Sequence, residues 1–182
     1  DTQNACTDWS LLNSWISTSG ASAVRLDNAA GWQVRSLHTY GTMEHAIYAN
    51  RCFATAISDN YIEDFGLKGG AGRTFYGIAC HVQDSAASLI HANKIFAFRS
   101  DPDAESTFTY IGVPGVAHGT ADASGVIGVH GNVVRGAGRT GDVGLAFDAG
   151  GGKLEVASSA NLVVGVSQPR TVGDGVTLVT TY

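Results

Sequence analysis

Short apolar segments with period-two alternation recur along this chain in a two-part unit. Ala23-Val24-Arg25-Leu26 aligns with Ala46-Ile47-Tyr48-Ala49. The segments that follow, Val34-Arg35-Ser36-Leu37-His38-Thr39 and Ile57-Ser58-Asp59-Asn60-Tyr61-Ile62, align at the same offset of 23 residues. The unit returns as Gly77-Ile78-Ala79-Cys80 with Leu89-Ile90-His91-Ala92-Asn93-Lys94-Ile95, and again as Tyr110-Ile111-Gly112-Val113 with Val129-His130-Gly131-Asn132-Val133-Val134. A last copy is Gly144-Leu145-Ala146-Phe147 with Ser158-Ser159-Ala160-Asn161-Leu162-Val163. Leu11 to Trp15 and Val176 to Val179 read as half units at either end. No stretch of useful length has helical periodicity.

The first-strand anchors Val24, Ile47, Ile78, Ile111 and Leu145 step by 23, 31, 33 and 34 residues. A constant core with variable insertions is the signature of stacked rungs with loops on one side. The pattern predicts an all-β fold, a right-handed parallel β-helix of about six rungs with partial rungs at both ends, forming a single domain over residues 1–182. Ile47, Ile78, Ile111 and Leu145 should then stack in one interior column at the ~4.8 Å strand spacing. Asn60, Asn93, Asn132 and Asn161 recur where the chain must bend, and Leu37 is the one apolar substitute. Their amides can bond backbone groups and each other, which predicts a buried ladder. Cys80 falls at an interior position. Cys52 is expected at a bend with its thiol pointing elsewhere, and no disulfide is expected.

Composition narrows the partners. The net charge is −5 with no run of lysine or arginine, which argues against a nucleic-acid surface. No apolar stretch approaches the roughly 20 residues that cross a bilayer, so no membrane partner is expected. The chain starts at Asp1 with neither an initiator methionine nor a signal-peptide pattern, and is expected to be processed or part of a longer protein. Three cysteines without ligand spacing point to no metal, and no cofactor motif is present.

Repeats of the form apolar-x-apolar followed by Ile-x-x-Asn-x-Ile, clearest in residues 46–50 and 57–62, resemble the pectate-lyase-like right-handed β-helix superfamily. The resemblance covers roughly residues 9–180. It implies the fold, and it implies a function among polysaccharide lyases, glycoside hydrolases, epimerases and phage tailspikes without choosing between them.

In such a coil the outward residues of the first strands form columns. One reads Arg25, Tyr48, Ala79, Gly112, Ala146, and the next Asp27, Asn50, His81, Pro114, Asp148. Their polar end, with nearby Asp84, is the candidate saccharide groove, although a solvated sheet also turns polar residues outward. Asp27, His81 and Asp84 are the catalytic candidates, and Arg25, Tyr48, Asn50, Arg73 and Arg99 the substrate-binding ones. The other half of the sheet reads as small and bland. Insertions over residues 63–75 and 96–109 should wall the groove, and they supply Glu63, Asp64, Asp101, Asp103 and Glu105 as reserve carboxylates. His91 and His130 fall in one outward column, too few for a metal site. His38 and His45 are expected only to bond locally around the Tyr40-Gly41-Thr42 turn.

These readings predict a protein, secreted or on a virion surface, that cleaves an extracellular polysaccharide. A lyase needs a base and a charge-neutralising cation, whereas a hydrolase needs two carboxylates. The alternative is a non-catalytic structural or receptor-binding segment of a tailspike or adhesin. A flat apolar face for self-association, as a trimer for example, would mark it. The open ends of a β-helix call for a capping chain or further rungs of a parent protein.

Overall fold

The computed structural model describes residues 6–83, 86–98, 106–116 and 123–180. The chain enters through β1 (Ser10–Leu12) and β2 (Trp15–Ser17). Five three-stranded turns follow. They are β3 (Val24–Leu26), β4 (Gln33–Arg35), β5 (His38–Tyr40); β6 (Ile47–Cys52), β7 (Ala56–Ser58), β8 (Tyr61–Glu63); and β9 (Thr74–Val82), β10 (Ser88–His91), β11 (Lys94–Phe96). The last two are β12 (Thr107–Val113), β13 (Ser124–His130), β14 (Val133–Arg135) and β15 (Val143–Phe147), β16 (Lys153–Ser159), β17 (Leu162–Val164). The partial turn of β18 (Gln168–Val172) and β19 (Val176–Val179) ends the coil.

Every third strand pairs in parallel, giving three sheets: A (β1, β4, β7, β10, β13, β16, β19), B (β2, β5, β8, β11, β14, β17) and C (β3, β6, β9, β12, β15, β18). This is a parallel β-helix. The expected register holds: Val24, Ile47, Ile78, Ile111 and Leu145 are successive Cα partners in sheet C, and all are buried. The repeat unit is three-part, however. Each segment read from sequence as one second strand is two strands, divided by a residue in the left-handed region: Ser36, Asp59, Ala92, Gly131 and Ala160, at φ between 53° and 62°. Val34 and Leu37, Ile57 and Asn60, and Ile90 and Asn93 are buried three residues apart, so the bend inserts one residue into the inward alternation and divides what reads as one strand.

The asparagines sit one residue beyond this bend and form a continuous amide ladder. Asn60 Nδ2 donates to Asn93 Oδ1 (2.9 Å), Asn93 Nδ2 to Asn132 Oδ1 (3.0 Å) and Asn132 Nδ2 to Asn161 Oδ1 (2.9 Å). Each Nδ2 also donates to the carbonyl of a residue in sheet A of the preceding turn, such as Val34, Ile57 or Ile90. Each Oδ1 accepts the backbone N–H of the residue stacked on it, Leu37 N donating to Asn60 at 3.0 Å. The tight corner leaves these backbone groups without strand partners, and the amides satisfy them.

Cys80 is interior as expected, but Cys52 does not point away. A bulge between Ala49 and Cys52 turns its side chain inward, where it is fully buried with its Sγ 3.5 Å from Ala49 O. Burial, followed by the adjacent Cys80 thiol, pushes the Cys52 thiol up. All three cysteines are free.

At the corner from sheet B to sheet C, Asp142 is fully buried and its Oδ1 accepts the Phe108 N–H at 3.2 Å. Its Oδ2 faces the buried Tyr110 hydroxyl, and neither makes a hydrogen bond of ordinary geometry. Burial raises the Asp142 pKa against the opposing effects of the Phe108 N–H, Arg139 and the Tyr110 hydroxyl. A raised folded-state value means that the fold holds this proton more tightly than the unfolded chain, so stability falls as pH climbs from the ordinary aspartate range through the folded value. Asp142→Asn keeps the acceptor for Phe108 and supplies a donor to Tyr110. It is expected to raise stability by about 1 kcal/mol at pH 7 and to flatten that decline, as read by urea denaturation across pH.

Candidate functional site

Sheet C presents the chemistry. Its central outward column, Arg25, Tyr48, Ala79, Gly112, Ala146 and Thr171, stands in strict register. The Arg25 guanidinium lies 5.6 Å from the Tyr48 ring centroid, and its Nε donates to Asp27 Oδ1 at 3.1 Å. Both members of that ion pair are largely exposed, so it orients the arginine more than it stabilises the fold. His81 stands against Tyr48 at 5.3 Å between ring centroids. Burial lowers its pKa.

His45 belongs here too. Its ring stacks on Tyr48 at 5.3 Å and 24°, and its Nδ1 accepts the Tyr76 backbone N–H at 3.1 Å. That bond places the proton of the neutral imidazole on Nε2. Burial lowers the His45 pKa, with Glu44 opposing and Arg73, Arg25 and His81 assisting. Two imidazoles held towards the neutral form thus flank one tyrosine, with an arginine above it.

Sequence reasoning missed His45 and Tyr76 because the alternation breaks beside them. Ala46 with Ile47, Gly77 with Ile78, Tyr110 with Ile111 and Gly144 with Leu145 are consecutive pairs that both turn inward. Counting by twos from Ile47 therefore assigns His45 and Tyr76 to the wrong side. The signal was present, since a glycine at Gly77 and Gly144 marks the crowded corner.

The half of sheet C that reads as bland is a trough, lined by Tyr76, Gly112, Pro114, Ala146, Asp148 and Thr171 among others. Its floor is small for a reason: a Cβ on Gly112 would lie 2.6 Å from Tyr76 Cε1, so the Tyr76 ring lies over that glycine. Burial raises the Tyr76 pKa, with Tyr48 and Asp148 adding to it. The polar end and the trough together make one continuous strip along the coil.

The remaining candidates are placed differently. Asn50 sits at the bulge, and its Oδ1 accepts the Arg51 N–H at 3.0 Å, a local backbone role. Arg73 lies 5.0 Å over the Phe75 ring and 3.5 Å from Glu44 Oε1, which also meets Lys68 at 3.6 Å. Glu63 accepts the Tyr61 hydroxyl on sheet B, and buried Asp64 accepts the Phe98 N–H at 2.8 Å, so both hold structure together. His38 is stacked between Trp15 and Tyr61 on sheet B, away from the local turn bonding expected of it. Asp84, Arg99, Asp101, Asp103 and Glu105 lie outside the described residues. Asp27 and Asp148 share a column but stand four rungs apart, about 19 Å at the usual strand spacing. Glycosidic hydrolysis needs its carboxylates within roughly 5–9.5 Å. Among the described residues no group of three or more His, Cys, Asp or Glu side chains is placed to hold a metal. Compared with protein-family models, curated proteins and solved structures, the chain matches none.

Proposed function

We propose that the outward strip of sheet C binds an extracellular polysaccharide and that the protein cleaves it by elimination, as a lyase of the pectate-lyase-like kind. The observation that carries this reading is the cluster of His45, Tyr48 and His81 under the Arg25 guanidinium. A neutral His81 removes the proton on the carbon next to a uronate carboxylate. That electron pair becomes the ring double bond as the bond to the leaving glycosidic oxygen breaks, and the oxygen takes a proton from water. Arg25 offsets the charge that develops on the carboxylate. Tyr48 and Tyr76 give flat surfaces for the apolar faces of successive sugars. A hydrolase would instead use Asp27 and Asp84 as its acid–base pair, and Asp84 lies outside the described residues. A secreted or virion-surface location accords with such a substrate.

Incubation with uronate-containing and neutral polysaccharides, followed at the absorbance of unsaturated sugars and for reducing ends, tests the reading. Unsaturated products from a polyuronate are the expected result. Reducing ends without unsaturation would replace lyase by hydrolase, and no product from any polymer would overturn cleavage. A second reading, a non-catalytic structural or receptor-binding segment, draws support from sheet B, where Leu162 and Val164 face outward and are exposed. Self-association in sedimentation without cleavage would favour it.

A further inference from the structure

The corner between sheets A and B carries a groove that the sheet C strip does not use. Trp15, His38 and Tyr61, successive residues of one outward column in β2, β5 and β8, form one wall. Asn13, Ser36 and Asp59 line the other, each at the left-handed bend of its rung. The sheet A column next to the bend reads Leu12, Arg35, Ser58, His91, His130 and Ser159, polar at every position but the first.

The aromatic wall is rigid. Trp15 stacks on His38 at 4.5 Å and 12°, and His38 meets Tyr61 at 4.5 Å edge to face. Tyr61 is fixed in turn by its hydroxyl, which donates to Glu63 Oε2 at 3.0 Å, and by Phe96 at 5.5 Å. Yet Trp15 is 71% exposed. It lies on the edge strand of sheet B, so no further rung among the described residues covers the indole face turned away from His38. A large ring held in place by its neighbours is pre-organised for a ligand that lies in the groove.

We propose that this groove is a second saccharide-binding site, selective for uncharged sugars, with Trp15 as its platform. A pyranose has an apolar C–H face and a rim of hydroxyls. The indole takes the face, and Asn13, Ser36 and Asp59 take the hydroxyls. These polar groups repeat once per rung, about 4.8 Å, close to the rise of one sugar residue in an extended chain. An oligosaccharide lying along the coil therefore meets one hydrogen-bonding group per ring. The charge of the ligand follows from the lining, whose single carboxylate, Asp59, is paired with the Arg35 guanidinium at the rim at 3.1 Å, so the groove offers a neutral pair to its ligand. The proposal borrows from the sheet C reading only the class of ligand, and the two sites lie on different faces of the coil.

Isothermal titration of the intact chain with cellohexaose, mannohexaose and trigalacturonate tests it, alongside Trp15→Ala, Tyr61→Phe and His81→Ala. Binding of a neutral hexasaccharide is expected, weakened about tenfold or more by Trp15→Ala and unchanged by His81→Ala. Tyr61→Phe keeps the ring and releases it from Glu63, so it should weaken binding by a smaller factor. If neither neutral oligosaccharide binds, or Trp15→Ala leaves binding intact, the proposal fails even where His81→Ala abolishes polyuronate cleavage. It fails equally if Trp15→Ala acts only by dissolving a self-associated form in sedimentation, which would make the groove an interface between copies. Loss of neutral-sugar binding in Trp15→Ala with unchanged cleavage in His81→Ala would uphold this site and overturn the other.

Discussion

Replacing His81 by alanine is expected to lower turnover of a polyuronate about a hundredfold or more, the usual scale for a general base, with the fold unchanged. The fold should survive because His81 faces outward from sheet C, while its neighbours Cys80 and Val82 carry the core contacts. The expected pH profile is distinctive. Burial lowers the His81 pKa from its ordinary 6.5, so the imidazole is a free base through neutral pH. Activity should be full at pH 7 and disappear as pH falls through a value below 6.5, because only the neutral ring can accept the proton. Arg25→Lys retains charge but loses the flat guanidinium over Tyr48, and should reduce turnover less than Arg25→Ala. Asp84→Ala gives the discriminating comparison. A full loss there with His81→Ala unaffected would transfer the chemistry to a carboxylate and refute the imidazole mechanism.

The second large effect concerns the fold. Asn93→Ala is expected to destabilise the chain by roughly 2–4 kcal/mol, since it removes an amide from the middle of a buried network. Four bonds are lost together. Asn93 Oδ1 accepts from the backbone N–H and the Nδ2 of Asn60, and Asn93 Nδ2 donates to Ile57 O and Asn132 Oδ1. The groups left behind are buried and cannot turn to water. Asn60→Ala should cost about 1–3 kcal/mol, because Leu37 ends the ladder on that side. Asn161→Ala should cost less still, at the half-buried far end. Chemical denaturation of the three variants reads this gradient directly. Equal small losses at all three positions would show that the ladder is incidental to stability.

Much of the coil was legible in the sequence because a β-helix repeats its burial at every rung. The column of Val24, Ile47, Ile78, Ile111 and Leu145, and the asparagine ladder, follow from residues that recur in equivalent places. What was not legible breaks the period. The bend at Ser36, Asp59 and Ala92 inserts one residue between inward positions, as from Ile57 to Asn60, and so divides what reads as one strand. The bulge after Ala49 adds one residue and turns Cys52 inward. Paired inward residues such as Ala46 and Ile47 shift the phase and conceal His45. The site followed the same rule. Arg25, Tyr48 and His81 lie in regular columns and were found together, whereas Tyr76, His45 and the trough over Gly112 depend on a corner that alternation does not encode. The ring stack of Trp15, His38 and Tyr61 was hidden for a different reason: its strand boundaries were not resolved, so its column could not be assembled.

The proposed function requires that a polysaccharide lie along sheet C. Heteronuclear NMR of the isotopically labelled chain, titrated with trigalacturonate under conditions too brief for cleavage, measures this most directly. Shifts concentrated on the His45 and His81 imidazoles and on Tyr48, Tyr76 and Gly112, with Trp15 unmoved, are the expected result. Shifts confined to other faces, or none at millimolar oligosaccharide, would contradict it.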